Sequence, residues 1–108
     1  MNRIKDLTKV ILQTDQVIMK MIMKPVSNLI VSVNDNDVEK NKELIDYCVV
    51  VHKGLAVTNV EVGDIVLEFS RGVEYTYKNE KYIKCSSHAI DIATKPDNFE
   101  LPKNINVN

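Results

Sequence analysis

The sequence has no tryptophan, only three glycines, three prolines and two cysteines, and no excess of either charge. Each shortage excludes something. Three scattered glycines cannot build a glycine-rich phosphate loop. Two cysteines cannot build a disulfide framework, and Cys48 and Cys85 both sit among apolar residues, as buried free thiols do. Lys plus Arg number 14 against 15 Asp plus Glu, so the net charge is −1. A chain so balanced has no global field for nucleic acid or an anionic membrane, and neither is expected as a partner. No apolar run reaches the roughly 18 residues of a membrane span. The first 24 residues are broken by Lys9, Asp15 and Lys20 and show no secretory pattern. The expected compartment is the cytoplasm.

What the sequence does have is β-branched bulk. Val and Ile supply 26 residues, while Leu and Ala supply only 10. Branched side chains fit a pleated surface and lose rotamer freedom in helices, so the composition predicts a mostly β fold. A length of 108 residues is one domain, able to bury roughly two thirds of its unfolded surface.

Three regions differ in pattern. Residues 1–24 carry all four methionines, five positive and two negative charges, and no Gly or Pro. Ile4, Leu7, Val10, Ile11, Val17, Ile18, Met21 and Ile22 recur at spacings of three and four, which predicts an amphipathic helical arm over residues 2–18. A short strand over Val17–Met23 competes with it, and Pro25 ends either element. Ile4, Leu7, Ile11, Ile18 and Met21 are the expected contacts of this arm. Residues 25–94 read as short strands with turns every eight to twelve residues, the spacing of a small barrel or sandwich. They are 26–33, the unbroken apolar run Tyr47–His52, Ile65–Phe69, the alternating Val73–Tyr77, Tyr82–Cys85 and Ala89–Ala93. Residues 34–46 hold five acids and two lysines and read as a solvated loop. Residues 95–108, with Pro96 and Pro102, read as an extended tail.

No constellation predicts catalysis, a metal or a cofactor. Cys48 and His52 share a strand face but lie about 13 Å apart on an extended strand, too far for one ion. Cys85 and His88 are only two ligands, short of a closed zinc site. No nucleophile motif accompanies either cysteine. Tyr75, Tyr77 and Tyr82 are expected to brace a hairpin rather than to stack on nucleic acid bases.

Several segments, in order, resemble the GroES-type co-chaperonins. Val-Glu-Val-Gly-Asp-Ile-Val at 60–66 resembles that family's strand entry, and the strand at 48–54 before it ends in Gly54 as the family's does. Tyr82–Ile92 resembles its closing strand pair. The short connection Leu55–Asn59 is similar to that of bacteriophage-encoded members, which lack a long roof hairpin. The resemblance covers residues 28–93. It implies a small β barrel that assembles into a ring, a heptamer in the family, and caps a chaperonin. Each subunit of that family docks through a loop between its first two long strands, carrying a hydrophobic tripeptide.

With 26–33 as the first strand, that loop corresponds to 34–45, where Val38, Leu44 and Ile45 are the apolar candidates and no Ile-Val-Leu-like triplet occurs. Unpaired edges near Leu29, Val31, Ile90 and Ile92 are the expected subunit contacts. The function implied is a non-enzymatic ring subunit that assists protein folding. The alternative is a bacteriophage structural or assembly protein built on the same barrel, found in the virion or in the host cytoplasm.

Overall fold

The computed structural model describes residues 3–24 and 44–100. Within them the protein is mostly β, with six antiparallel strands in one sheet. They are β1 (Gln16–Met23), β2 (Ile45–Lys53), β3 (Ile65–Phe69), β4 (Val73–Tyr77), β5 (Glu80–Ser86) and β6 (Ile90–Thr94). Their order across the sheet is β4-β5-β1-β2-β3-β6.

The expected N-terminal helix is absent from the described residues 3–24. Leu7–Lys9 form a single 3-10 turn, capped by the Asp6 carboxylate, which accepts from the Thr8 backbone N–H. The chain then leaves the turn extended at Val10 and enters β1 at Gln16. The reason lies in what covers the strand. Val17, Met19 and Met21 point into the main core, while Ile18 points to the opposite face and is buried there by Leu7 and Tyr77, with Ile4, Val10, Leu12, Val51 and Tyr82 packed around them. A strand buried on both faces need not alternate. Its apolar residues then happen to fall at helical spacings as well.

β2 is central, with β1 and β3 on either side. Its unbroken apolar run has a matching cause. Cys48 and Val50 enter the main core, while Val51 packs beneath the N-terminal segment on the other face. Two irregularities interrupt its ladder with β1, between Ile18 and Met19 and between Ile22 and Met23. Such bulges add twist and bend to a strand. The sheet curls accordingly. Ile83 and Cys85 of β5 share one core with Val66 and Phe69 at the other end of the sheet, although β1 and β2 lie between them in the strand order.

The turns follow local chemistry. Tyr77 pairs with Glu80, so the β4–β5 hairpin is closed by Lys78 and Asn79 alone, shorter than the four-residue loop expected. Both have positive φ, 51° and 67°, as a type I′ turn requires. Before β3, Gly63 takes φ +99°, and the buried Asp64 carboxylate accepts the Glu61 N–H at 2.8 Å and pairs with Lys95 at 3.1 Å. The Gly-Asp pair is thus the lock of this turn and ties it to the chain after β6.

Candidate functional site

The region that topology singles out is the junction of β1 and β2. The two strands run antiparallel as far as Met23 opposite Ile45, and the Lys24 N–H donates to the Leu44 carbonyl at 2.8 Å. The described chain on either side of residues 25–43 is therefore held together at one point, Lys24 against Leu44. Val38 lies in this connection, as do Leu29, Val31 and the rest of the strand expected at 26–33, and all of these fall outside the described residues. Leu44 and Ile45 are half-buried; Leu44 supplies the closing carbonyl, and Ile45 opens β2 and packs against the main core. Ile45 also lines a concavity of about 330 Å³ with Leu67, Glu68, Phe69 and Asp91. Tyr47, two residues on, holds Phe99 edge-to-face at 5.0 Å, so the chain after β6 returns to the start of β2.

The opposite pole is built from the loop before β1 and the loop after β2. Gly54 N–H donates to the Gln16 carbonyl and Ala56 N–H to that of Thr14, at 2.8 and 2.9 Å. His52 Nε2 contacts the Val10 carbonyl, which as a carbonyl can only accept. Lys53 Nζ reaches the carbonyls of Val57 and Val60 and the Glu61 carboxylate, each at 3.3 Å, and so holds the 54–61 loop in place. Ile11 and Leu55 are nearly fully exposed at this pole, 96% and 97%.

The expected arm contacts thus separate. Ile4, Leu7 and Ile18 meet on the outer face of the sheet, Met21 joins the main core, and Ile11 touches neither cluster. The Tyr77 hydroxyl donates to the Lys5 carbonyl at 3.0 Å, and Tyr82 packs on Tyr77 at 5.9 Å between ring centres. These rings hold the N-terminal segment down, a role invisible until that segment is seen lying over them. Of the expected subunit contacts, Ile90 and Ile92 lie on the edge strand β6; Ile90 packs against the core and Ile92 is 46% exposed.

Cys48 and Cys85 are both buried, reduced and unpaired. Burial pushes the Cys48 thiol up to about 12, with Cys85 adding to the effect, and pushes Cys85 up to about 11. A thiol raised this far is a poor nucleophile. We expect neither to react with a disulfide reagent at pH 8 in the native state, and both to react once the chain is unfolded. Folded values lie above the ordinary 9.0, so the unfolded chain ionises first. Stability is accordingly full below about pH 9 and falls as pH rises toward the folded values. Rapid modification of either thiol in the folded protein would contradict their placement.

Among the described residues no group of three or more His, Cys, Asp or Glu could hold a metal ion, and no helix is long and apolar enough to cross a membrane. No family model, curated protein or solved structure matches the chain.

Proposed function

We propose that this chain is a ring subunit of the co-chaperonin kind, a GroES-like barrel that docks on a chaperonin through its β1–β2 connection. The observation that carries the proposal is the position of β1. With β1 at Gln16–Met23 and β2 at Ile45–Lys53, residues 25–43 stand between the first two long strands among the described residues. In sequence that span contains Leu29-Ile30-Val31, the kind of apolar triplet missing from 34–45. Asp35, Asp37, Glu39 and Glu43 follow it, with Val38 among them. A polar connection carrying one apolar triplet and closed at its base by a strand pair suits a docking element, because its anchors can engage a groove without disturbing the core. The curled sheet, with β5 and β3 sharing a core, favours a barrel wall over a flat sheet.

Single connections would bind weakly, and a ring presenting several at once would bind by avidity. ATP belongs to the partner in this reading. The test is co-elution of the full chain with a chaperonin in gel filtration, with and without ATP. The proposal expects a nucleotide-dependent complex. Absence of any complex, together with incorporation into phage particles, would support the particle-component reading instead.

A further inference from the structure

We infer that the outer face of β4, β5 and β1 binds single-stranded nucleic acid, a role independent of the chaperonin reading. The face is defined by register. Tyr75 stands opposite Tyr82, Tyr82 opposite Lys20, and Lys84 opposite both Val73 and Ile18. Residues directly opposite each other on antiparallel strands share a face. Ile18 and Tyr82 belong to the outer cluster with Tyr77, so this face points away from the main core. Two tyrosines side by side are thus bracketed by two lysines. Lys84 is two residues from Tyr82 on the same strand, about 7 Å along it. Tyr75, Tyr82, Lys20 and Lys84 are all half-buried, none of them covered.

The sequence assigns all three tyrosines to bracing, and the structure separates them. Tyr77 is buried, donates to the Lys5 carbonyl and meets Tyr82 edge-to-face. Tyr75 makes no ring contact and no side-chain hydrogen bond among the described residues, so its ring is available to stack on a base. Every base has a π face, so such stacking tolerates any sequence, while a cationic track beside the rings holds the phosphates. Here the track runs from Lys84 into a concavity of about 390 Å³, which Lys84 lines with Gln16, Arg71, Val73 and Ser86 and which, among the described residues, no acid lines. Neither Arg71 nor Lys84 has an ion-pair partner among the described residues. Lys20 holds Glu80 at 3.3 Å, but this pair is exposed, so a phosphate can take the place of the carboxylate. Asp15 accepts from the Ser86 hydroxyl and Asp91 from the Ser70 hydroxyl, and these two carboxylates bound the track at the Arg71 end. The net charge of −1 over the whole chain hides this local patch.

The experiment is fluorescence anisotropy on the full chain over a salt series, with thermal unfolding as a control for folding. The probes are labelled oligothymidylate and oligouridylate of about 20 nucleotides, long enough to fill one such site, and a duplex of the same length. Tyr75→Ala is expected to weaken binding about 10-fold, the loss of one stacked base. Tyr75→Phe keeps the ring and should leave binding unchanged. Arg71→Gln combined with Lys84→Gln should lower the salt slope by about 1.4, since each phosphate contact contributes about 0.7 on a single strand. Glu80→Gln releases Lys20 and should tighten binding. These responses support the inference whichever single strand binds better, and the better one names DNA or RNA as the source. No binding of either at low salt would overturn it. Binding that Tyr75→Ala leaves intact would overturn it too, as would a duplex bound as tightly as the single strands, the mark of a general polyanion surface.

Discussion

Gly54→Ala is expected to lower the melting temperature by about 12 °C or more, the largest effect of the three Gly→Ala changes the protein allows. A Cβ at this position would collide with the Gln13 carbonyl oxygen and lie 2.6 Å from that of Thr14. Both atoms are backbone, so neither can rotate away. The same backbone is held against Gly54 by the Gly54–Gln16 and Ala56–Thr14 hydrogen bonds, and relief of the collision would sacrifice them. Overpacking of this kind costs about 3 kcal/mol or more where the surroundings cannot yield. Gly63 is the informative comparison. Nothing lies within 4 Å of a Cβ built there, but its φ of +99° strains any side chain. Gly63→Ala should therefore cost about 1–2 kcal/mol, from strain alone. Calorimetry on the two variants checks the order, and equal melting temperatures would show that the contact between the 10–15 and 54–60 loops is not close-packed.

The second large effect concerns binding. Leu29→Ser combined with Val31→Ser should abolish capture by a chaperonin while leaving thermal unfolding within about 0.5 kcal/mol of the wild type. Each side chain buried in a partner groove contributes roughly 1.5–3 kcal/mol, so one connection loses on the order of 100-fold or more in affinity. A ring multiplies that loss over every connection that engages. Val38→Ser removes a smaller anchor outside the triplet and should weaken binding less. Co-elution and calorimetry on the same preparations separate the two quantities. Retained capture by the double variant would move the docking element away from 25–43.

Much of this fold was legible in the residues, and the failures have a common physical origin. Ile65–Phe69 and Val73–Tyr77 coincide with β3 and β4 because each is bounded by turn residues, Gly63-Asp64 before one and Ser70-Arg71-Gly72 between the two. The unbroken apolar run Tyr47–His52 falls within β2, which has strand neighbours on both sides and apolar cover on both faces. β1 was obscured for the same reason that β2 was legible. Its two faces are both apolar, and methionine and isoleucine at 17–23 satisfy periods of two and of three to four alike. Only the non-local cover supplied by Leu7 and Tyr77 decides between them, and no local pattern carries that information. This bears on the proposed docking segment, because it is bounded by the described strands β1 and β2 on either side. The described strand β1 ends at Met23, and the strand expected at 26–33 lies outside the described residues. The Gly-Asp turn was visible as a signal, whereas the role of Asp64 as partner of Lys95 required the chain after β6 to be in place.

The central claim is that the β1–β2 connection meets the chaperonin, and the most direct measurement is backbone amide hydrogen exchange on the full chain, alone and with a chaperonin and nucleotide. The account predicts that exchange slows across residues 25–43, most strongly at Leu29–Val31, while amides of β1, β2 and β5 keep the protection they have in the free protein. Slowing confined to other segments, such as the pole of Ile11 and Leu55, or no change anywhere at saturating chaperonin, would contradict it.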